Sequence, residues 1–226
     1  MKQVRCVLVM MLLWLGTGPR AAAQDESRVY AGAIAGVSTL SADGRASTQP
    51  GRGEASLYKP ENGPALNLFV GMHVGRYFSV QGNYVWNRND LTLFSSFTTA
   101  QAGGFYEQPR NSAQHAVVGD ALLYFRALGD GVRPYLSTGV GWMGFGSEPA
   151  NSEVTSGLAP PDGEIAATRF VLRVAVGIDL AMGEAWSFRY SFSESISGNP
   201  ISSRLTPPGE RNLANFQNLF GFIRRF

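Results

Sequence analysis

Along residues 168–182 the chain alternates with period two. The even positions read Thr168, Phe170, Leu172, Val174, Val176, Ile178, Leu180 and Met182, apolar after the first. The odd positions read Arg169, Val171, Arg173, Ala175, Gly177, Asp179 and Ala181, small or charged apart from Val171. Successive side chains of a strand point to opposite faces, so this is a strand with one greasy face and one polar face. A helix would instead surround Arg169 and Arg173 with Phe170, Leu172, Val174 and Val176.

The same pattern recurs. Trp186, Phe188, Tyr190, Phe192 and Ile196, with Glu194 among them, oppose Ser187, Arg189, Ser191, Ser193 and Ser195. Leu66, Leu68, Val70, Met72 and Val74 oppose Asn67, Phe69, Gly71 and His73; Phe78, Val80, Gly82, Tyr84 and Trp86 oppose Ser79, Gln81, Asn83 and Val85. In Gln114 to Phe125 the outer face is odd (Val117, Ala121, Leu123, Phe125), which turns Asp120 the other way. Leu136, Thr138, Val140 and Trp142 oppose Ser137, Gly139 and Gly141, and Leu213 to Phe226 sets Phe216, Phe220, Phe222 and Phe226 on one face. The first segment, Arg28 to Leu40, is small and Gly-rich, and its faces are not assignable. Eight strands of roughly nine residues or more result, the length that crosses an outer membrane.

Connections alternate in length. Short ones fall at Gly75–Tyr77, Leu128–Gly131 and Gly183–Ala185; long ones fall near 41–63, 92–112, 147–164 and 197–211. Short periplasmic turns, long extracellular loops and an even strand count are the pattern of a bacterial outer-membrane barrel, with both termini periplasmic.

Facing separates this from a soluble lipocalin-like barrel of the same strand count. The interior of an eight-stranded barrel is just wide enough for side chains to fill. Here the bulky apolar residues share one face and Gly, Ala, Ser and charges the other, so the bulky face turns to lipid and the lumen is polar. Closure also satisfies every backbone group without water. The fold expected is all-β: an eight-stranded antiparallel up-and-down transmembrane β-barrel.

The N-terminus reads as a secretory signal peptide. Lys2 and Arg5 precede the apolar run Cys6 to Leu15, which Gly16 to Arg20 break before Ala21-Ala22-Ala23. That run is shorter than the about 20 residues a membrane helix needs. Cleavage is expected after Ala23, leaving residues 24–226 as one barrel domain. Basic residues then fall from 19 to 16 against 17 acidic, so the formal charge changes from +2 to −1 and no nucleic-acid partner is implied. The single cysteine leaves with the leader, and Lys59 becomes the one lysine among fifteen arginines. A charged fraction of 16%, with 27 glycines and 12% aromatics, argues against disorder and against a helical bundle.

With these residues in view, the chain resembles the small outer-membrane β-barrel family, the OmpX-like and opacity-type proteins. The resemblance rests on strand count, loop alternation, the segment Arg133-Pro134-Tyr135-Leu136-Ser137-Thr138-Gly139-Val140-Gly141-Trp142 and the C-terminus. It covers all of the chain after the leader. It implies that Phe220, Phe222 and Phe226 form the ending read by the barrel-assembly machinery. Arg224 departs from the aromatic usual there, though an arginine near an interface can snorkel to headgroups. The chain stops with the last strand, so no peptidoglycan-binding domain is expected after it.

Candidate chemistry is thin. Parity places Asp120, Arg169, Arg173, Asp179 and Arg189 in the lumen, where charges must be paired. A three-residue turn at Gly183–Ala185 sets Met182 opposite Trp186 and Asp179 opposite Arg189, which predicts a lumen salt bridge. The network reads as a stiffening plug, with an ion or proton path as the other reading. His73 is expected in the lumen near the periplasmic end, beside Ser79, and His115 near the extracellular end. Some barrels that resemble this one are lipid A deacylases or acyltransferases with an outer-face His/Ser pair. The deacylases place the two residues two positions apart; here Gly75 and Val117 follow the histidines at that spacing, Ala113 precedes His115, and Ser112 falls on the opposite face. Two histidines make no metal site. No cofactor and no catalytic residue are expected. Tyr58-Lys59-Pro60-Glu61, Phe105-Tyr106 and Pro160-Pro161 offer loop surface for a host, a phage or lipopolysaccharide.

The function expected is a non-enzymatic integral outer-membrane protein, structural or acting in surface interaction through its long extracellular loops. The alternatives are a small passive channel or carrier for modest solutes, which an apolar lumen would favour, and a lipid-modifying outer-membrane enzyme. The partners expected are outer-membrane lipids, the assembly machinery during biogenesis and an unidentified extracellular ligand. The chain is expected as a monomer, exported through the periplasm to the outer membrane of a Gram-negative-type bacterium.

Overall fold

A computed structural model describes residues 28–41, 44–47, 55–99, 102–150, 152–205 and 212–226. The expected leader and its cut at Ala23 lie outside the described residues. The strands described are β1 (Val29–Ser41), β2 (Gly44–Ser47), β3 (Ala55–Pro60), β4 (Gly63–His73), β5 (Phe78–Arg88) and β6 (Leu91–Thr98). They continue as β7 (Gly103–Tyr124), β8 (Val132–Pro149), β9 (Val154–Ser156), β10 (Ile165–Ala181), β11 (Trp186–Gly198) and β12 (Asn212–Arg225).

Eight of them close a ring in the order β1-β4-β5-β7-β8-β10-β11-β12, every neighbouring pair antiparallel. The last strand shuts onto the first, from Tyr30 opposite Arg225 to Ser41 opposite Ala214. Closure leaves the ring no free edge. The fold is the closed eight-stranded antiparallel barrel that the alternation predicts.

Residues of the bulky faces point outward. Trp142 is 66% exposed, Phe170 57% and Val117 65%, whereas the alternate positions are buried. Aromatics gather at two rims: Tyr77, Phe78, Phe125, Trp186 and Phe226 at the short-turn end, and Tyr84, Trp142, Phe170 and Phe192 toward the other. From Phe78 to Trp86 eight strand steps at about 3.4 Å, tilted by about 40°, span about 21 Å, close to the apolar band of an outer-membrane barrel. Gly82, Gly119, Val140 and Leu172 are register partners halfway up.

β1, whose faces the sequence left unassigned, turns Tyr30, Ile34, Ser38 and Leu40 inward. Its inward Gly32 makes room for the Phe69 ring opposite, as Gly71 does for Tyr30 and Gly177 for Tyr135. Large rings fit this lumen because a glycine stands across from each.

The expected loop at 92–112 is a correction. It forms a tall hairpin, β6 against the upper half of β7, from Leu91 opposite Arg110 to Thr98 opposite Gly103. Within the segment 41–63, β2 and β3 pair, and β3 joins β6. β7 is 22 residues long and β8 18, about twice what one crossing needs. The pleat continues past the membrane: Leu91, Leu93, Tyr106, Gln108 and Arg110 are buried on the inner face of this crown.

Candidate functional site

Three tiers fill the barrel. The lowest is built on Arg189, fully buried on the inner face of β11. The turn after β10 pairs the Met182 N–H with the Trp186 carbonyl at 2.9 Å, and that register sets Asp179 directly across from Arg189. Arg189 Nε donates to Asp179 Oδ1 at 2.6 Å and Nη2 to Oδ2 at 2.8 Å, a two-pronged match of guanidinium to carboxylate. Its Nη1 donates to Gln81 Oε1 at 2.8 Å and its Nη2 also to Tyr124 Oη at 2.8 Å. Tyr124 Oη donates to Asp179 Oδ2 at 3.0 Å, and Tyr30 Oη donates to Gln81 Oε1 at 3.1 Å. The Phe69 and Tyr135 ring centres lie 4.9 and 4.7 Å from the guanidinium carbon. Arg189 is thus bonded within its plane and has aromatic rings beside it, which is how a cation is tolerated out of water.

The middle tier is a second ion pair, Arg173 with Asp120. These two residues are not on neighbouring strands. Asp120 of β7 and Arg173 of β10 both lie across from Gly139 of β8, and they meet over it. A Cβ at Gly139 would run into the Asp120 carboxylate. An amide chain continues the polar column: Asn67 Nδ2 and Gln81 Nε2 donate to Asn83 Oδ1 at 3.1 and 2.6 Å, and Gln217 Nε2 to Asn87 Oδ1 at 2.8 Å across the lumen.

The upper tier corrects the expectation of a polar lumen. Val85, Met143, Phe145, Ile165, Val171 and Leu213 point inward and pack with Leu91, Leu93, Tyr106, Ile201 and Leu205 of the crown. The protruding strands carry no lipid, so their inner face needs a core of its own. Within it, Arg110 is 1% exposed. It donates to Ser147 Oγ (3.1 Å), the Ser147 carbonyl (2.8 Å), Gln108 Oε1 (2.8 Å) and the carbonyls of Pro161 (3.3 Å) and Gly163 (2.6 Å). One side chain thus fastens the segment 157–164 to β7 and β8. Asn89 does the same lower down, bonding the Ser38 and Glu61 carbonyls at 3.1 and 3.0 Å.

Of the five charged residues assigned to the lumen by parity, Asp120, Arg173, Asp179 and Arg189 form these two pairs. Arg169 is the correction: it is exposed. The pairing of β10 with β11 stops at Val171 opposite Ser197, so β11 no longer covers the next inward position, and Arg169 lies beside Gly198. Phe220, Phe222 and Phe226 all point outward, 58%, 51% and 63% exposed. Arg224 stands over the Phe226 and Trp186 rings, 5.2 and 5.8 Å from their centres. Parity within β8 could also have identified Arg133, which is buried against the Tyr124 ring at 3.8 Å. Arg110 fell in a segment read as loop.

His73 Nδ1 lies 2.5 Å from Ser79 Oγ, inside the barrel, with Ser79 fully buried. Tyr30 lies across the His73 ring at 4.9 Å. His115 faces outward and shares a 2.7 Å hydrogen bond with Tyr84 Oη. No group of three or more His, Cys, Asp or Glu that could hold a metal is found among the described residues.

Solved structures similar to this chain include small outer-membrane barrels. Neisserial surface protein A matches at a TM-score of 0.55 and 14% identity, covering 88% of this chain and 97% of that one. Ail, the attachment invasion locus protein of Yersinia pestis, matches at 0.48 and 11%, with 88% and 99% covered. The outer membrane protein OprG from Pseudomonas aeruginosa matches at 0.47 and 13%, with 88% and 94% covered. No curated protein matches in sequence. The family described as "Outer membrane protein beta-barrel domain" matches residues 8–219. That match spans the whole ring up to the last strand, and with the lipid-facing belt and filled lumen it identifies the chain as a member of the outer membrane protein β-barrel family.

Proposed function

We propose that the protein is a non-enzymatic outer-membrane protein of a Gram-negative bacterium that holds up an ordered crown for contacts at the cell surface. The observation that carries this is the continuation of β7 and β8 past the membrane into a crown with its own core, fastened by Arg110. A lumen of interlocked ion pairs, amides and packed apolar side chains supports a stiff post rather than a pore. Outer-membrane lipids surround the aromatic rims, and the assembly machinery reads the ending Phe220, Phe222, Phe226. The working unit is a monomer.

Two measurements test it. Cys6 is the chain's single cysteine and belongs to the expected leader, so introduced thiols report cleanly. Val154→Cys should react with an impermeant maleimide on intact cells, and Gly183→Cys only after lysis. The purified protein in a planar bilayer should give no discrete conductance steps. Reversed labelling overturns the orientation, and regular steps make the protein a channel. For the enzyme reading, His115→Ala should leave lipid A composition unchanged.

A further inference from the structure

At the short-turn end of the lumen, one small recess is lined by more positive than negative groups. Three guanidinium groups, Arg133, Arg189 and Arg225, border it together with a single carboxylate, Asp179. Arg189 occupies that carboxylate: Oδ1 takes its Nε, and Oδ2 takes its Nη2 and the Tyr124 hydroxyl. Arg133 lies directly across from Asp179 on the opposite neighbouring strand but does not bond it. Its Nε and Nη2 are buried with no hydrogen-bond partner, although the residue is only 5% exposed. Arg225 donates Nη2 to the Gly183 carbonyl at 3.1 Å, and its Nε is likewise unpartnered.

Stacking on Tyr124 accommodates the face of Arg133 and leaves its in-plane N–H groups unsatisfied. A buried guanidinium with free in-plane donors is costly, and it cannot lose its proton. The recess beside it has about 10 Å³ of room, what a single water-sized body needs. His73 and Tyr30 form its inner wall, and neither supplies a negative charge.

We infer that this recess is a binding site for one small monoatomic anion of the halide class. The anion accepts from Arg133 Nε and Nη2 and is drawn by Arg225. β8 and β12 are separated in the ring by β10 and β11. An anion between Arg133 and Arg225 therefore ties opposite parts of the periplasmic mouth, doing there what Asp179 does for Arg189. The room suits a monoatomic anion better than a tetrahedral oxyanion.

The test uses the full protein extracted from outer membranes in mild detergent. Ionic strength is held fixed while sodium bromide replaces sodium gluconate, and unfolding is followed by the heat-dependent gel shift. The wild type should gain a saturable rise of roughly a few degrees in midpoint. Arg133→Gln should lose that rise, and Arg133→Lys should keep part of it. Crystals soaked in bromide should show an anomalous peak against Arg133, a result that stands even where the glutamine variant does not fold. An equal response in Arg133→Gln, a peak elsewhere with none at Arg133, or sulfate acting as steeply as bromide would each overturn the assignment.

Discussion

Cutting the Asp179–Arg189 pair should cost different amounts from its two sides. Removing one partner of a buried ion pair leaves an uncompensated charge and costs about 3–5 kcal/mol. Asp179→Leu deprives Arg189 of two charged hydrogen bonds and Tyr124 of its acceptor, and it leaves the recess lined by three cations and no carboxylate. That variant belongs at the upper end of the range. Arg189→Met leaves Asp179 with Tyr124 still bonded and with Arg133 directly across from it, able to swing onto the freed carboxylate. That variant belongs at or below the lower end. The double variant Asp179→Leu with Arg189→Met exchanges a buried pair for apolar volume and should recover most of the loss, since such exchanges are often neutral. With a urea m-value of about 2 kcal/mol/M, a loss of about 4 kcal/mol moves the midpoint by about 2 M. The assay is urea titration in lipid vesicles, read by the heat-dependent gel shift. If the double variant is less stable than the two single losses added together, or if Arg189→Met costs more than Asp179→Leu, the account of the lower tier is wrong.

Other outcomes follow from the same geometry. Leu172→Arg, halfway up the lipid face, should cost about 2–4 kcal/mol on folding into vesicles, while Met182→Arg at the short-turn rim should cost about 0–1 kcal/mol. Gly139→Ala should cost about 1–3 kcal/mol, because its Cβ would displace the Asp120 carboxylate from Arg173; equal urea midpoints would refute that. Arg110→Met should release the segment 157–164, so protease on intact cells cuts there while the barrel band stays heat-shiftable. Phe226→Ala should lower the amount recovered in outer membranes without changing the urea midpoint, as expected if this residue serves assembly rather than packing.

How far this fold could be read from sequence depends on which solvent each part of a strand meets. Inside the membrane band the outside is lipid and the lumen is narrow, so bulky residues go out, small and charged ones go in, and the alternation is sharp. Asp179 and Arg189 were paired from turn length alone because a register slip of one residue would have turned the Val174 and Val176 face inward. Above the band the outside is water. The polarity reverses: Leu91, Leu93, Tyr106 and Phe145 turn inward to make a core, and Thr92, Glu107 and Asn111 turn out. The period stays two while its sense flips, and a reader looking for greasy outer faces takes 92–112 for a loop. Val171, the one exception in the odd series of β10, marks the level at which the sense changes.

The charged residues obey a further condition that parity does not carry. Facing inward is not enough; a neighbouring strand must also pass over the side chain. Arg173 has β11 beside it and is buried, whereas Arg169, four residues away along the strand, is beyond the end of that pairing and is exposed. The Asp120–Arg173 pair shows the complementary effect, since it joins strands that are not neighbours and exists because Gly139 between them has no side chain. A ring order and a row of register partners were needed to see it. The glycines that made β1 unreadable have the same role: Gly32 is blank in the hydrophobic pattern because the ring filling its place, Phe69, belongs to the next strand of the ring. In a barrel this narrow the unit that packs is the row around the circumference, and one strand's sequence shows a single member of each row.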